Sequence, residues 1–339
     1  MKATGEKAVS TLLIYIPCHV DYKLALDNVE RLSKQFKGLP SNEVTFQIRI
    51  VVSINGVAEV EELATMKNIE VVRFGENIGG DSNISLGFMK ALELDIDYFW
   101  LLSANETLQP NALANLFDLL NKNSKTDIFV ANSANRSGIL KLKDVFMNHP
   151  SNLGLGLISS VIYRIENTKN YFSSSMKFGW TGWGQLAVIQ EYLNHSDSPR
   201  LFEFEDNSVY EKPSTYLESS DLSEREVVRN AYRHSFYGLV ILASNMYLNN
   251  EKELKLYLRR WLRSHWYKLN FFALKRHERN LEGNRNVKWL ETLFKLTFKK
   301  YSLFMWILIL AIEKIPISKL ESVRGITWIS RYFKKWAAR

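Results

Sequence analysis

Apolar residues in the first 135 positions alternate between short runs and helically spaced sets. The runs are rich in valine, isoleucine and aromatic residues, which is typical of buried strands. Between them, apolar residues recur among charged ones at intervals that predict amphipathic helices. The predicted strands are Leu12–Ile16, Gln47–Ile54, Ile69–Phe74, Tyr98–Leu102 and Asp127–Ala131, and the predicted helices are Leu24–Phe36, Val57–Met66, Ser82–Leu94 and Gln109–Asn121.

This alternation of strands and helices predicts an α/β fold with a mostly parallel sheet flanked by helices. Ligands of such sheets bind beyond the carboxyl ends of the strands. We therefore expect four loops, each following a predicted strand, to meet at one crevice. These loops are Pro17–Asp21, Ser53–Val57, Gly75–Asn83 and Ser103–Glu106.

Two segments at this crevice carry motifs. They read Glu76-Asn-Ile-Gly-Gly-Asp-Ser-Asn-Ile-Ser-Leu-Gly87 and Asp97-Tyr-Phe-Trp-Leu-Leu-Ser-Ala-Asn-Glu-Thr-Leu-Gln-Pro110. Together they resemble the core of the family-2 glycosyltransferases with the GT-A fold, over residues 10–135 and at most to residue 195. In that family Asn-x-Gly-Gly opens a helix, and a later strand runs into an Asp-x-Asp turn followed by Leu-x-Pro. The matching positions are Asn77, Gly79, Gly80, Asn83, Gly87, Leu108 and Pro110.

The resemblance implies a GT-A-like fold and a nucleoside-diphosphate sugar as ligand. Glycines at a strand-to-helix turn let backbone N–H groups approach a ligand, and a helix N-terminus favours phosphate. Two alternatives stay open: the glycine-rich segment could be a tight loop without a ligand, and His19 could be a structural histidine. The candidate donor-binding residues are Pro17, His19, Asp21, Asn55, Asn77, Gly79, Gly80, Asn83, Ser103 and Asn105.

The chain departs from the family pattern at the metal-binding turn. Ser103-Ala104-Asn105 stands where the family has Asp-x-Asp, and Glu106 is the carboxylate that remains nearby. Because carboxylates are the natural ligands of Mg²⁺ and Mn²⁺, we expect no dedicated metal ligand and weak or absent metal dependence. The acidic loop after the second strand is replaced by Ser53-Ile-Asn-Gly56, where Asn55 could still bond a base or ribose.

The catalytic base is the third departure. The resemblance aligns Gln185, in Thr181-Gly-Trp-Gly-Gln-Leu186, with the family's usual acidic residue. Transfer to a hydroxyl needs a base within hydrogen-bonding reach. Glu106 and Asp81 are therefore candidate catalytic residues beside Gln185. The further acids Glu203, Glu205 and Asp206 stay open, and each acid could instead be a solvated surface charge.

Aromatic residues in Phe178–Gln185 suggest an acceptor site. Aromatic faces stack on the C–H side of pyranose rings, so Trp180 and Trp183 are candidate acceptor-binding residues. The alternative is that both tryptophans are core anchors.

Charge divides the chain. Residues 251–339 hold 21 lysines and arginines against 7 acids, a net charge of +14, which leaves −6 for residues 1–250. Six of the nine tryptophans lie in the same basic stretch. Tryptophan beside lysine and arginine is typical of a membrane interface, where cations face anionic lipid. With one cysteine, Cys18, and no apolar leader, we expect a cytoplasmic protein.

The C-terminal region has a helical pattern. The apolar run Leu303–Ile312 is about half the length that a bilayer span requires, and Ile326, Ile329, Phe333 and Trp336 form one stripe, which predicts an interfacial helix. An ordinary helix packed on the first domain is the alternative. We therefore expect two domains, residues 1–220 binding the nucleotide sugar and residues 221–339 being helical, basic and membrane-associating.

The sequence predicts a glycosyltransferase on the inner face of the cell membrane. The resemblance implies inverting transfer to a lipid-linked oligosaccharide acceptor in bacterial surface polysaccharide synthesis, as for O-antigen or capsule. One alternative is an inactive scaffold that binds nucleotide sugar or glycan. Another is a nucleic-acid-binding protein with a basic tail, which the long aliphatic runs between its cations disfavour; we therefore expect no nucleic-acid partner.

Overall fold

The computed structural model describes residues 9–18, 22–39, 46–56, 61–66, 69–131, 139–140, 155, 158–212 and 242. The chain divides into two compact units, residues 1–145 with 152–218 and residues 146–151 with 219–339. All described residues except Leu242 belong to the first unit. The predicted C-terminal helices and their membrane association therefore lie outside the described residues.

The first unit alternates strands and helices. Its strands are β1 (Ser10–Cys18), β2 (Phe46–Asn55), β3 (Ile69–Phe74), β4 (Tyr98–Leu101), β5 (Thr107–Leu108), β6 (Ile128–Ala131), β7 (Ile139–Leu140), β8 (Val161–Arg164), β9 (Leu201–Phe204) and β10 (Tyr210–Lys212). Its helices are α1 (Tyr22–Lys37), α2 (Glu61–Thr65), α3 (Gly80–Glu93), α4 (Ala112–Lys122), α5 (Ile165–Thr168), α6 (Ser173–Phe178) and α7 (Gly184–His195). Short 3₁₀ turns lie at Ile158–Ser160, Lys169–Tyr171, Gly179–Thr181 and Asp206–Ser208.

Eight strands form one mixed sheet in the order β3-β2-β1-β4-β8-β6-β9-β7. Strands β1 to β4 are mutually parallel, β8 is antiparallel to both β4 and β6, and β9 is parallel to β6. The carboxyl ends of β4, β6 and β9 therefore lie at the same edge. The short strands β5 and β10 pair separately and antiparallel. The predicted α/β fold is confirmed, and its first five strands agree with the structure to within a few residues.

Helices cover both faces of the sheet because neighbouring residues of a strand point to opposite sides. Leu12, Ile14 and Ile16 of β1 belong to a core cluster with the buried stripes of α1 and α4. On the other face, Tyr15 packs against Gly87 of α3, where an added Cβ would lie 2.8 Å from the Tyr15 ring. Gly87 therefore permits the close approach of helix and sheet.

The stripe on α1 consists of Ala25, Val29 and Leu32, and that on α4 of Leu113, Leu116 and Leu120. Both have the spacing of an amphipathic helix against a sheet. Among the residues that the structure describes, no helix combines the length and apolar character needed to cross a bilayer.

Candidate functional site

The carboxyl ends of the first four strands meet at one edge of the sheet. Pro17 of β1 pairs with Ser53 of β2, and Asn55 at the end of β2 pairs with Phe74 at the end of β3. On the other side of β1, the Leu102 N–H just after β4 donates to the Tyr15 oxygen at 2.9 Å. The described carboxyl ends of these four strands are therefore neighbours. Two candidate donor-binding residues, His19 and Asp21, lie outside the described residues.

The segment Asn77–Gly80, called here the glycine turn, connects β3 to α3. The buried Asn55, 1% exposed, accepts a hydrogen bond from the Ile78 N–H through its Oδ1 at 2.7 Å. The Asn77 Oδ1 accepts one from the Gly79 N–H at 2.9 Å. Gly79 has a φ of +84°, in the left-handed region that favours glycine. Two asparagine side chains and one glycine therefore define the backbone of this turn.

Space is open beside the glycine turn. A Cβ added to Gly79 or Gly80 would meet no described atom within 4 Å. Within the described part of the chain, no side chain caps the start of α3. Uncapped N–H groups at a helix N-terminus favour an anion. The glycine turn and the start of α3 are therefore suited to a phosphate group.

Asn83 stands behind this turn, in the wall of the crevice. It is buried, and its Oδ1 accepts hydrogen bonds from the Tyr15 hydroxyl at 3.0 Å and the Ser53 hydroxyl at 2.5 Å. Burial raises the pKa of Tyr15 to about 12, so this hydroxyl stays protonated and donates. The Asn83 side chain thus ties α3 to β1 and β2, an arrangement that holds the helix start rather than presenting an amide to a ligand.

The segment Ser103–Glu106, called here the serine turn, follows β4. Its backbone is held on several sides: the Ser103 N–H donates to the Ser159 Oγ at 2.9 Å, and the Ala104 oxygen accepts from the Asn28 Nδ2 at 2.9 Å. Within the turn, the Ser103 oxygen accepts from the Glu106 N–H at 3.2 Å. The side chains of Ser103, Asn105 and Glu106 are half-buried. The turn therefore presents one hydroxyl, one amide and one carboxylate.

This donor set lacks the two carboxylates of an Asp-x-Asp turn. Mg²⁺ at nucleotide sites is usually bound through one or two carboxylates plus the phosphates of the ligand, so an ion here would depend on Glu106 and on the diphosphate. The serine turn supplies a single carboxylate, Glu106, and the described residues contain no group of three or more histidines, cysteines, aspartates and glutamates that could hold a metal.

The remaining acids differ in their surroundings. Asp81 is exposed in the first turn of α3, Glu76 is exposed just before the glycine turn, and Glu106 is half-buried. Glu203 in β9 is only 2% exposed, so it is not a solvated surface charge. Glu205 and Asp206 follow β9 at the same edge of the sheet as the crevice.

The aromatic segment 178–185 is packed closely against its neighbours. Trp183 is 9% exposed and Gln185, in the first turn of α7, is 5% exposed. A Cβ on Gly179 would lie 2.7 Å from the Ser85 Oγ, and one on Gly184 would lie 2.9 Å from the Ser175 oxygen. These two glycines allow close packing of the helices. The backbone of Trp180 lies in the 3₁₀ turn Gly179–Thr181, and its side chain is outside the described atoms.

Three residues that complete the site do not stand out in the sequence: Asn28, Ser159 and Tyr210. Asn28 lies on α1, and its buried amide reaches the serine turn across 76 positions of chain. Ser159 bonds to the same turn, and the Tyr210 hydroxyl bonds to the Ser159 oxygen; both residues lie beyond the motifs in sequence. What distinguishes them is that each is a polar side chain at a buried position, and burial of a single residue cannot be read from the sequence.

Comparisons with known proteins give no family. No family model and no curated protein matches the sequence. Among solved structures, S. aureus TarS 1–349 is 14% identical with a TM-score of 0.49, over 86% of this chain and 85% of that one. The same protein in complex with UDP is 12% identical with a TM-score of 0.49, over 96% of this chain and 91% of that one.

Two further structures are similar at the same level. The longer S. aureus TarS chain is 14% identical with a TM-score of 0.47; the match covers 76% of this chain and 43% of that one, so this chain spans less than half its length. The mannosyltransferase PcManGT from Pyrobaculum calidifontis, in complex with GDP-Man and Mn²⁺, is 11% identical with a TM-score of 0.46, over 89% of this chain and 84% of that one. Likenesses this distant carry no argument about function.

Proposed function

We propose that the protein is a glycosyltransferase that moves a sugar from a nucleoside-diphosphate donor to a lipid-linked glycan acceptor. The observation that carries this proposal is that the glycine turn and the serine turn both follow strands at the carboxyl edge of one sheet. That edge is where α/β sheets bind ligands. The sequence resemblance to family-2 glycosyltransferases supports the same function through matching residues in both turns.

In this proposal the glycine turn and the start of α3 receive the diphosphate. Gly79 and Gly80 leave room for it, and the helix N-terminus supplies favourable partial charge. From the serine turn, the Ser103 hydroxyl and the Asn105 amide contribute side-chain hydrogen bonds. Because both contacts are uncharged, we propose that transfer depends weakly or not at all on Mg²⁺ or Mn²⁺.

The chemical step that we propose is a single displacement. The acceptor hydroxyl oxygen forms a bond to the anomeric carbon, the bond from that carbon to the diphosphate oxygen breaks, and a base takes the hydroxyl proton. We propose Glu106 or Asp81 as this base, because an amide such as Gln185 does not accept a proton at neutral pH. Gln185 is then not the base, and its burial together with that of Trp183 favours a core role for both over contact with the acceptor.

The acceptor proposal rests on the C-terminal sequence. Its net charge of +14 and its tryptophans favour an anionic membrane surface, where a polyprenyl-diphosphate-linked glycan would be presented. We therefore propose a peripheral location on the inner face of the membrane and a role in bacterial surface polysaccharide synthesis, such as O-antigen or capsule.

The donor test is a thermal-shift screen of the full chain with a panel of nucleoside diphosphates and their sugars. A ligand that binds only the folded state raises the melting temperature, so at least one compound is expected to stabilise the protein. Transfer is then measured with chelator and with Mn²⁺ restored. A chain that none of the panel stabilises contradicts the proposal, and activity that requires the added metal contradicts its metal-independent form.

The membrane test is flotation of the full chain with anionic liposomes at low and high salt, beside binding to duplex DNA. We expect attachment to liposomes that salt weakens only in part, because the apolar stripe persists. Arg331→Gln with Lys335→Gln should reduce it, whereas Lys34→Gln with Lys37→Gln on α1 should not. Tighter binding to DNA than to liposomes contradicts this proposal.

A scaffold that binds nucleotide sugar without turnover is a second candidate. The observation that favours it is the replacement of acids by Ser103, Asn105 and Gln185 at the positions where the family pattern has carboxylates. Donor binding without transfer or hydrolysis, across a panel of lipid-linked acceptors, would identify the scaffold.

A further inference from the structure

Ser159 lies at a junction between the sheet and the serine turn. It belongs to the 3₁₀ turn Ile158–Ser160, directly before β8, and it is 3% exposed. Because β8 runs antiparallel to β4, the start of β8 lies at the carboxyl end of β4, where the serine turn begins. Ser159 is therefore a buried polar residue at the edge of the proposed donor site.

Three hydrogen bonds converge on this residue. Its Oγ accepts from the Ser103 N–H at 2.9 Å, and its carbonyl oxygen accepts from the Trp100 Nε1–H at 2.8 Å and from the Tyr210 hydroxyl. The carbonyl thus uses both of its lone pairs. The donors come from β4 and the serine turn that directly follows it, and from β10, so one serine links two parts of the chain that are distant in sequence.

The Tyr210 hydroxyl is a dependable donor in this cluster. Burial raises its pKa well above the usual value, and the nearby Glu106 carboxylate raises it further, so Tyr210 stays protonated. Tyr210 also pairs through β10 with Leu108 of β5, directly beyond the serine turn. The serine turn is therefore held at its start by Ser159 and at its end by the strand that carries Tyr210.

The bonds to Ser159 determine what the serine turn can offer a ligand. The Ser103 N–H is used by Ser159, the Glu106 N–H by the Ser103 oxygen at 3.2 Å, and the Asn105 N–H by the Ser103 Oγ at 3.4 Å. These three N–H groups are therefore bonded within the protein. The turn therefore presents its side chains, and the orientation of those side chains depends on where Ser159 holds the backbone.

We infer that Ser159 is a positioning residue for donor binding: its hydroxyl oxygen and carbonyl fix the serine turn so that Ser103 and Asn105 face the donor diphosphate. The inference rests on the proposed function. In Ser159→Ala the Ser103 N–H loses its acceptor inside the protein, which is unfavourable, and the turn gains alternative conformations.

The experiment compares Ser159→Ala with Thr168→Val in the full chain. Thr168 is an equally buried residue just beyond the opposite end of β8, and its hydroxyl donates to the Arg164 oxygen at 2.6 Å. Both variants remove one buried hydroxyl from the ends of the same strand. Where Ser159→Ala lowers stability too far, Ser159→Cys keeps the volume and supplies only a weak acceptor.

The first readout needs no ligand. Amide hydrogen exchange of residues 103–106 should speed up about tenfold in Ser159→Ala, as expected for the loss of one hydrogen bond, and should be unchanged in Thr168→Val. The second readout is affinity for uridine, guanosine, cytidine and thymidine diphosphates. The best-bound of these should weaken about five- to tenfold in Ser159→Ala only, with donor KM rising and kcat little changed.

Two results overturn the inference while the proposed function stands. One is unchanged exchange in residues 103–106 of Ser159→Ala, and the other is an equal loss of diphosphate affinity in Thr168→Val. If the wild-type chain binds none of the four diphosphates, the proposed function is contradicted. The donor role of Ser159 is then contradicted as well, independently of the exchange rates. Faster exchange together with weaker binding, both confined to the Ser159 variants, supports the inference.

Discussion

The glycine turn and the serine turn lie at the same edge of the sheet, and in both of them backbone N–H groups are bonded within the protein. In the glycine turn, the side chains of Asn55 and Asn77 accept hydrogen bonds from the Ile78 and Gly79 N–H groups, and open space lies beside Gly79 and Gly80. In the serine turn, the N–H groups are bonded to Ser159 or within the turn itself. The difference lies in the side chains: the glycine turn has none at positions 79 and 80, where α3 begins, whereas the serine turn carries a hydroxyl, an amide and a carboxylate.

The sequence resemblance differs between the two turns as well. The glycine turn matches the motif of family-2 glycosyltransferases at its glycines, which let a backbone at a helix start approach a ligand. The serine turn has serine and asparagine at positions 103 and 105, where that family has carboxylates, and Glu106 is its one carboxylate.

The largest expected effect comes from blocking the open space. In Gly80→Leu we expect the melting temperature to change little, because no described atom lies within 4 Å of the added Cβ. Affinity for the best-bound nucleoside diphosphate should fall at least about a hundredfold, which corresponds to roughly 2.7 kcal/mol. Gly38→Leu, at the exposed end of α1, is the matched control and should bind normally. Normal binding by Gly80→Leu would show that the diphosphate lies elsewhere.

A second change would give the serine turn the two carboxylates of a metal-binding turn. Ser103→Asp with Asn105→Asp supplies two carboxylates, and we expect Mn²⁺ to raise its affinity for a nucleoside diphosphate about tenfold. Titration calorimetry with and without Mn²⁺ measures this, with Ser103→Ala and Asn105→Ala as the uncharged control. In the wild type the metal should change the affinity by less than about twofold. A tenfold gain in affinity with Mn²⁺ in the wild type would contradict the proposed weak dependence on metal.

The two asparagines of the glycine turn should differ in importance. Asn55 is buried, so Asn55→Ala leaves the Ile78 N–H without its acceptor, and diphosphate affinity should fall about fivefold with a loss of roughly 1–2 kcal/mol in stability. Asn77 is exposed, and water can replace its oxygen in Asn77→Ala. Urea unfolding measures the stability of the two variants, and calorimetry measures their diphosphate affinity. Equal losses in Asn55→Ala and Asn77→Ala would mean that burial of the acceptor is irrelevant.

The last prediction concerns Tyr15, which lies behind the glycine turn and should affect stability rather than binding. Its folded pKa of about 12 lies above the usual 10.0, so its contribution to stability is complete below pH 10 and is lost as the pH rises towards 12. The loss amounts to at most roughly 2–3 kcal/mol. Other buried tyrosines titrate in the same direction, so the measurement is the difference from Tyr15→Phe in urea unfolding between pH 8 and 11. An identical decline in both proteins would show that Tyr15 does not contribute.

Much of the fold could be predicted because its first half is regular. Strands β1 to β4 are apolar runs, and α1 and α4 carry stripes at helical spacing. Such patterns reflect burial on one face or on two, which the local sequence records. The elements after residue 153 were not predicted. Helix α7 is buried on nearly all sides and so lacks an amphipathic pattern, and β8 is too short to stand out.

The candidate site was predictable to the same extent. Its four loops all follow strands of a parallel sheet, so their position at one edge of that sheet could be predicted from the pattern of strands and helices. The roles of particular side chains did need them. Asn83 matches the family motif, yet its amide is bonded to Tyr15 and Ser53 in the wall of the crevice.

The sequence by itself determined the α/β class and the uncharged residues at positions 103 and 105, because periodicity and residue type are local properties of the chain. Only the tertiary structure decided which side chains support these turns. Asn28 and Ser159 reach the serine turn from α1 and from the start of β8, and Tyr210 of β10 bonds to Ser159. Hydrogen bonds between segments so far apart depend on the packing of the whole sheet, which no local pattern encodes.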